Sequence, residues 1–187
     1  MKKMQIKELV VPLNEYATVF EDATLADAIM ALEHAQQTFD CTKYRHRAIL
    51  VLDKDRQPVG KISQIDALKA LEPKYNEIYG QAGRNSFRHF SRMFINSMIE
   101  HHRLFDSSLD DLRKKATTIK VVDFMHTLSA DERIDENATL GEAIHILILG
   151  HQQSLLVARQ GRIVGILRLT DVFSAVFHSL VAASEEP

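Results

Sequence analysis

One cysteine, Cys41, stands among 187 residues. No internal disulfide can form, and a reducing cytoplasm is the expected setting. No apolar stretch nears the roughly 20 residues that cross a bilayer; the best, AIHILILG at 143–150, falls far short. The opening MKKMQIKELVVPLNEY has too short an apolar run for a secretory leader, which again points to the cytoplasm. Excess charge is missing too. The 23 basic and 25 acidic residues leave a formal charge of −2, so no global pull toward nucleic acid or an anionic membrane follows.

Catalytic signatures are also lacking. There is no Walker loop, no Gly-x-Ser-x-Gly elbow and no dinucleotide fingerprint, and Cys41 sits in a polar stretch without a nucleophile motif, so the protein is not expected to be an enzyme. His101 and His102 are the densest of the nine histidines, but helix neighbours face different ways and no metal-ligand spacing accompanies them. His145 and His151, six apart, are read as structural. No metal is expected.

What is present is a repetition. EDATLADAI at 21–29 returns as ENATLGEAI at 136–144, an offset of 115, with most letters kept and others exchanged like for like. QPVGKISQIDAL, from residue 57, returns as GRIVGILRLTDVF, from residue 161. In each, a glycine breaks an apolar run and an aspartate follows six residues later, giving the pairs Gly60/Asp66 and Gly165/Asp171. The second offset is 105, so the first copy carries ten extra residues, assigned to the polar stretch from Gln36 to Tyr44. Loops lengthen there at small entropic cost.

Each copy reads β-α-β-β-α. In the first, ATVF (17–20) is a short strand, and Thr24 with Asp27 makes a capping-box pattern before a helix from Leu25 to about Gln37. AILVL (48–52) is an apolar strand, DKDRQ a turn, PVGKIS a strand and IDALKAL a helix. The second copy repeats this with Thr139 and Glu142, SLLVA (154–158), RQGR, IVGIL and the helix TDVFSAVFHSLV. Apolar strands need cover on both faces, whereas two helices shield only one face of a small sheet. An α/β (α+β) fold is therefore expected, with two β-α-β-β-α units packed sheet against sheet by pseudo-twofold symmetry and neither stable alone. A composition of 45% apolar residues suffices for that core.

Residues 73–117 match neither copy. Phe87, Phe90, Phe94, Met98 and Phe105 recur at three- and four-residue steps, which predicts one or two amphipathic helices stopping near SSLDD. Asp110 and Asp111 there read as a helix N-terminus. Arg84, Arg88 and Arg92 share another face; a packed apolar face opposite a solvated basic one is the ordinary outcome, and nucleic-acid binding is not expected. Ile99 and Leu104 extend the apolar strip, which points to a homodimer contact. The organisation read from this is 1–72, a helical insertion at 73–117, and 118–187.

The duplicated β-α-β-β-α unit with its Gly-x-x-Ser/Thr-x-x-Asp signature resembles the CBS (cystathionine beta-synthase) domain in its tandem form, the Bateman module, over residues 5–72 and 118–182. The resemblance implies adenine-nucleotide ligands (AMP, ADP, ATP or S-adenosylmethionine) in clefts between the paired domains, with no cofactor required. It implies that Thr18 and Val19 offer backbone contacts to adenine, that Arg47 and Ala48 border the pocket with Arg45 and His46 nearby, and that Ser63 and Asp66 hold the ribose. S-x-x-D after a strand is equally a helix cap with a first-turn acid, and both readings stand.

The second copy departs from the pattern, because Arg168 replaces the hydroxyl after Gly165. Thr170 beside Asp171 is then the hydroxyl available, and Ser154 and Leu155 line the second pocket. Arg168 either clamps a phosphate, the role expected here, or fills the cleft. The reading is a cytoplasmic regulatory module, homodimeric, signalling an adenosyl-containing ligand to an effector protein. The rival reading is a ligand-free scaffold that dimerises or holds a partner through the helical insert.

Overall fold

The computed structural model describes residues 4–38, 46–75, 78 and 91–184, with only the backbone at 38 and 182–184. The first half contains β2 (Thr18–Phe20), α1 (Leu25–Thr38), β3 (Ala48–Leu52), β4 (Pro58–Ser63) and α2 (Gln64–Leu71), preceded by the short β1 (Val11–Pro12). Then come α3 (Arg92–His102) and α4 (Leu109–Thr118). The second half has β5 (His126–Thr127), β6 (Arg133–Asp135), α5 (Leu140–Leu149), β7 (Ser154–Arg159), β8 (Arg162–Arg168) and α6 (Leu169–Ser184). No helix among the described residues is long and apolar enough to cross a membrane.

Two four-stranded sheets result, ordered β2-β3-β4-β5 and β1-β8-β7-β6. The fourth strand of each comes from the other half. β1 pairs antiparallel with β8, Pro12 facing Gly165, and β5 pairs antiparallel with β4, Thr127 facing Gly60. The exchange reaches further out: Ile6 N donates to Ala138 O and Leu140 N to Met4 O, while Val121 N donates to Ala23 O and Leu25 N to Ile119 O. These two sets are related by the same 115-residue offset as the sequence repeat. The segment leading into each half therefore completes the opposite half, and the three-stranded units read from sequence become four-stranded by reciprocal exchange.

That exchange explains both glycines. A β-carbon on Gly165 would sit 2.6 Å from the Val11 carbonyl oxygen and 2.5 Å from Val10 Cγ1, and one on Gly60 would run into the Met125 side chain. Glycine admits a crossing strand at each place.

Strand alternation divides the core into three. In β3, Ile49 and Val51 face the helices of their own half, and Leu50 and Leu52 face the other sheet; in β7, Leu155 and Val157 face the helices while Leu156 faces across. The central layer joins Val11, Tyr16, Leu50, Leu52, Leu156, Ile163 and Ile166 from both halves. Both faces of each sheet are thus buried, which is why the strands are continuously apolar. Burial of this apolar surface, at about 25 cal/mol per Å², holds the halves together.

The capping boxes form as read. Thr24 Oγ1 accepts from Asp27 N at 3.2 Å and Asp27 Oδ2 accepts from Thr24 N at 2.9 Å; Thr139 and Glu142 do the same at 3.3 and 2.7 Å. α1 runs four residues further than α5 under the 115-residue correspondence, and the rest of the extra stretch, 39–44, lies outside the described residues. The insertion does not end its helices at SSLDD. Ser108 caps α4 there, accepting from Asp111 N at 3.2 Å, and Ala116 of α4 packs into the core of the first half. Glu72, buried at the end of α2, accepts from Phe105 N at 2.8 Å and ties the turn between α3 and α4 to the same half. Gly80, Arg84, Phe87, Arg88 and Phe90 lie outside the described residues.

Candidate ligand-binding site

β4 runs directly into α2, with Ser63 ending one and capping the other. Ser63 Oγ accepts from Asp66 N at 3.2 Å, while Asp66 Oδ2 accepts from Ser63 N at 3.0 Å and Ser63 Oγ at 2.6 Å. The capping reading of S-x-x-D is therefore met in geometry. It occupies one carboxylate oxygen. Asp66 Oδ1 accepts no hydrogen bond among the described residues, so the cap leaves this oxygen open.

Arg168 holds the matching position of the second half, as the strand register shows: Ala48 faces Ser63, and Ser154 faces Arg168. Its Nε and Nη2 donate to Asp171 Oδ2 and Oδ1 at 2.5 and 2.6 Å, a bidentate pair that takes both carboxylate oxygens. The expected phosphate role thus meets a different arrangement: the guanidinium is buried at 5% exposure, against its own aspartate. Nη1 lies 3.4 Å from Nδ1 of His46, on the other half. His46 is 1% exposed and stands edge-on to the Tyr16 ring, centroids 4.4 Å apart. Burial first, and the Arg168 charge second, push His46 down to about 4, so the imidazole is neutral near pH 7. Burial likewise pushes the Tyr16 phenol up to about 12.

Around these residues lies a cleft of about 650 Å³ formed by both halves. Arg47, Ala48, Ser63, Asp66, Ser154, Arg168 and Thr170 line it together. Four other residues named from sequence do not. Leu155 is fully buried in the core of the second half, because strand alternation gives the cleft Ser154 and the core its neighbour. Thr18 and Val19 are paired to β3 at Leu50 and Val51, with Val19 packed on the first-half core. Asp171 is held behind Arg168. Arg45 and Cys41 lie outside the described residues.

Sequence reasoning missed a charged cluster at the cleft wall. Lys61 Nζ donates to Glu132 Oε1, His126 Nε2 lies 3.7 Å from the same oxygen, and Glu132 Oε2 accepts from Ser129 N at 3.2 Å. The S-x-x-E spacing of Ser129 and Glu132 carried a capping signal, but nothing local shows that the carboxylate faces a lysine of the other half. The strand offsets place Ile166, Ala17 and Val11 at the twofold-related positions, all in buried apolar clusters. His151, read as structural, also lines the cleft. The rings of His101 and His102 meet edge-on at 5.0 Å, and no group of three or more histidine, cysteine or acidic side chains among the described residues is placed to hold a metal.

The CBS domain family model matches residues 6–73 and 121–178. No curated protein matches the chain by sequence. Solved structures do match in fold. A CBS domain-containing protein from Kribbella flavida is 15% identical with a TM-score of 0.62, over 93% of this chain and 98% of that one. CBSX2 in complex with AMP is 18% identical with a TM-score of 0.59, over 95% and 99%. The CBS domain of the bacterial CNNM/CorC family Mg2+ transporter, in complex with ATP, is 14% identical with a TM-score of 0.59, over 94% and 89%.

Proposed function

The chain belongs to the CBS domain family, and from that premise we propose that it is a non-catalytic regulatory module that binds an adenine nucleotide in the cleft between its halves. One observation carries the reading: Asp66 keeps an unengaged carboxylate oxygen in a cleft of nucleotide size whose rim carries the exposed cation Arg47. A ribose diol donates two hydrogen bonds and a phosphate needs positive charge; Asp66 Oδ1 and Arg47 provide for each. Two structures of similar fold hold AMP and ATP, which supports that ligand class. The wall residues come from both halves, so a bound nucleotide favours one relative arrangement of them, and that preference is the signal passed to an effector protein.

The module acts as a homodimer in a reducing cytoplasm. α2 exposes Ile65 and Leu68, and α6 exposes Phe173, Phe177 and Leu180 at helical spacing, an apolar area of the kind that associates. Thermal unfolding with AMP, ADP, ATP and S-adenosylmethionine tests the ligand reading. A ligand at a hundred times its Kd adds about 2.7 kcal/mol, and Asp66→Ala removes that gain. No stabilisation by any of the four leaves the scaffold reading in its place.

A further inference from the structure

The two halves of the cleft differ at the anchor. On the first side, Ser63 binds one oxygen of Asp66 and leaves the other open; on the second, Arg168 binds both oxygens of Asp171. The second side nevertheless keeps its walls: Gly150, Gln152, Gln153, Ser154 and Thr170 line the same cleft. Resting on the nucleotide reading above, we infer that the second half-site keeps its walls but is internally occupied. Arg168 is a tethered cation filling the place of a ligand, and each chain takes one nucleotide rather than two.

Three observations converge on this. The pairing is bidentate, the geometry in which a guanidinium holds a carboxylate most firmly. The arginine is buried and lies 3.4 Å from His46, so it is fixed from the first half as well as by its own aspartate. And the strand register that puts Ser63 opposite Ala48 puts Arg168 opposite Ser154, so one side chain at one equivalent position distinguishes an open anchor from a closed one. A ligand entering the second side has to displace a tethered ion pair, whereas on the first it meets a waiting acceptor.

Arg168→Ser restores the hydroxyl of the first half and gives Asp171 the partner that Asp66 has. Isothermal titration with AMP, and with ATP in parallel, counts the sites. The parent is expected to bind one equivalent, Arg168→Ser two, and Arg168→Ser with Asp66→Asn one. Two equivalents in the parent, or one in a folded Arg168→Ser, overturn the inference. No binding in the parent overturns the nucleotide reading instead. Arg168→Ala, which frees Asp171 without asking for a new cap, is the second variant. If no protein lacking the guanidinium folds, Arg168 is a structural fastener and the half-site is not latent.

Discussion

Lys61 of β4 and Glu132, just before β6, are paired across the seam, 71 residues apart, where the equivalent positions on the other side of the pseudo-twofold hold Ile166 and Ala17. Glu132 is 4% exposed in its side chain and Lys61 24%. Removing the acid alone strands the lysine and the Ser129 amide, whereas replacing both residues by those of the apolar side leaves only the Ser129 amide without its acceptor. Glu132→Ala is expected to lower stability by about 2 kcal/mol. Lys61→Ile with Glu132→Ala should recover the part due to the stranded lysine, as measured by urea unfolding. Equal losses in the single and double variants would show that the pair is not coupled.

The glycines at the exchange are expected to differ in what they tolerate. At Gly165 the new methyl meets the Val11 carbonyl, which cannot move without parting β1 from β8; at Gly60 it meets the unbranched Met125 side chain, which can. Gly165→Ala should cost about 2 to 3 kcal/mol, and Gly60→Ala about 1 or less. Denaturation midpoints rank them, and the reverse order would contradict the strand exchange.

His46 makes stability pH-dependent. Its folded value of about 4 lies below its ordinary 6.5, so the unfolded chain takes up the proton first as acid is added. This contribution is fully present above pH 6.5, is lost as pH falls from 6.5 to 4, and changes no further below that. A shift of this size corresponds to about 3 kcal/mol at most. His46→Gln, which copies the equivalent Gln152, should show a flatter profile. The stability difference between parent and variant, followed from pH 7.5 to 4, should shrink by that amount; a constant difference would mean that His46 titrates normally in the folded protein.

The twin capping boxes are expected to contribute alike. Thr24→Ala and Thr139→Ala each remove one hydroxyl acceptor and expose a helix amide, at about 1 kcal/mol. In each case the partner acid, Asp27 or Glu142, held low in its titration by the threonine, should rise toward the ordinary carboxylate range, which NMR titration reads directly.

Local pattern was enough for most elements because they are encoded by neighbours. Thr24 and Asp27 lie one helical turn apart, and AILVL and SLLVA declare buried strands by composition alone. The four-stranded sheets were not legible, since Val11–Pro12 and His126–Thr127 are too short to announce a strand and their partners lie in the distant half. The site was legible only in part. The sequence marks Ser63, Asp66 and the departure at Arg168, but an arginine that binds a phosphate and one that binds Asp171 have the same letters around them.

The sequence by itself determined a duplicated unit, its capped helices, its apolar strands and the positions of two equivalent acids, all properties of residues within a turn or a strand of each other. Only the tertiary structure decided that each half borrows its fourth strand from the other, that Lys61 meets Glu132, and that Arg168 closes over Asp171. Those outcomes depend on which way side chains point when segments a hundred residues apart are brought within hydrogen-bond distance.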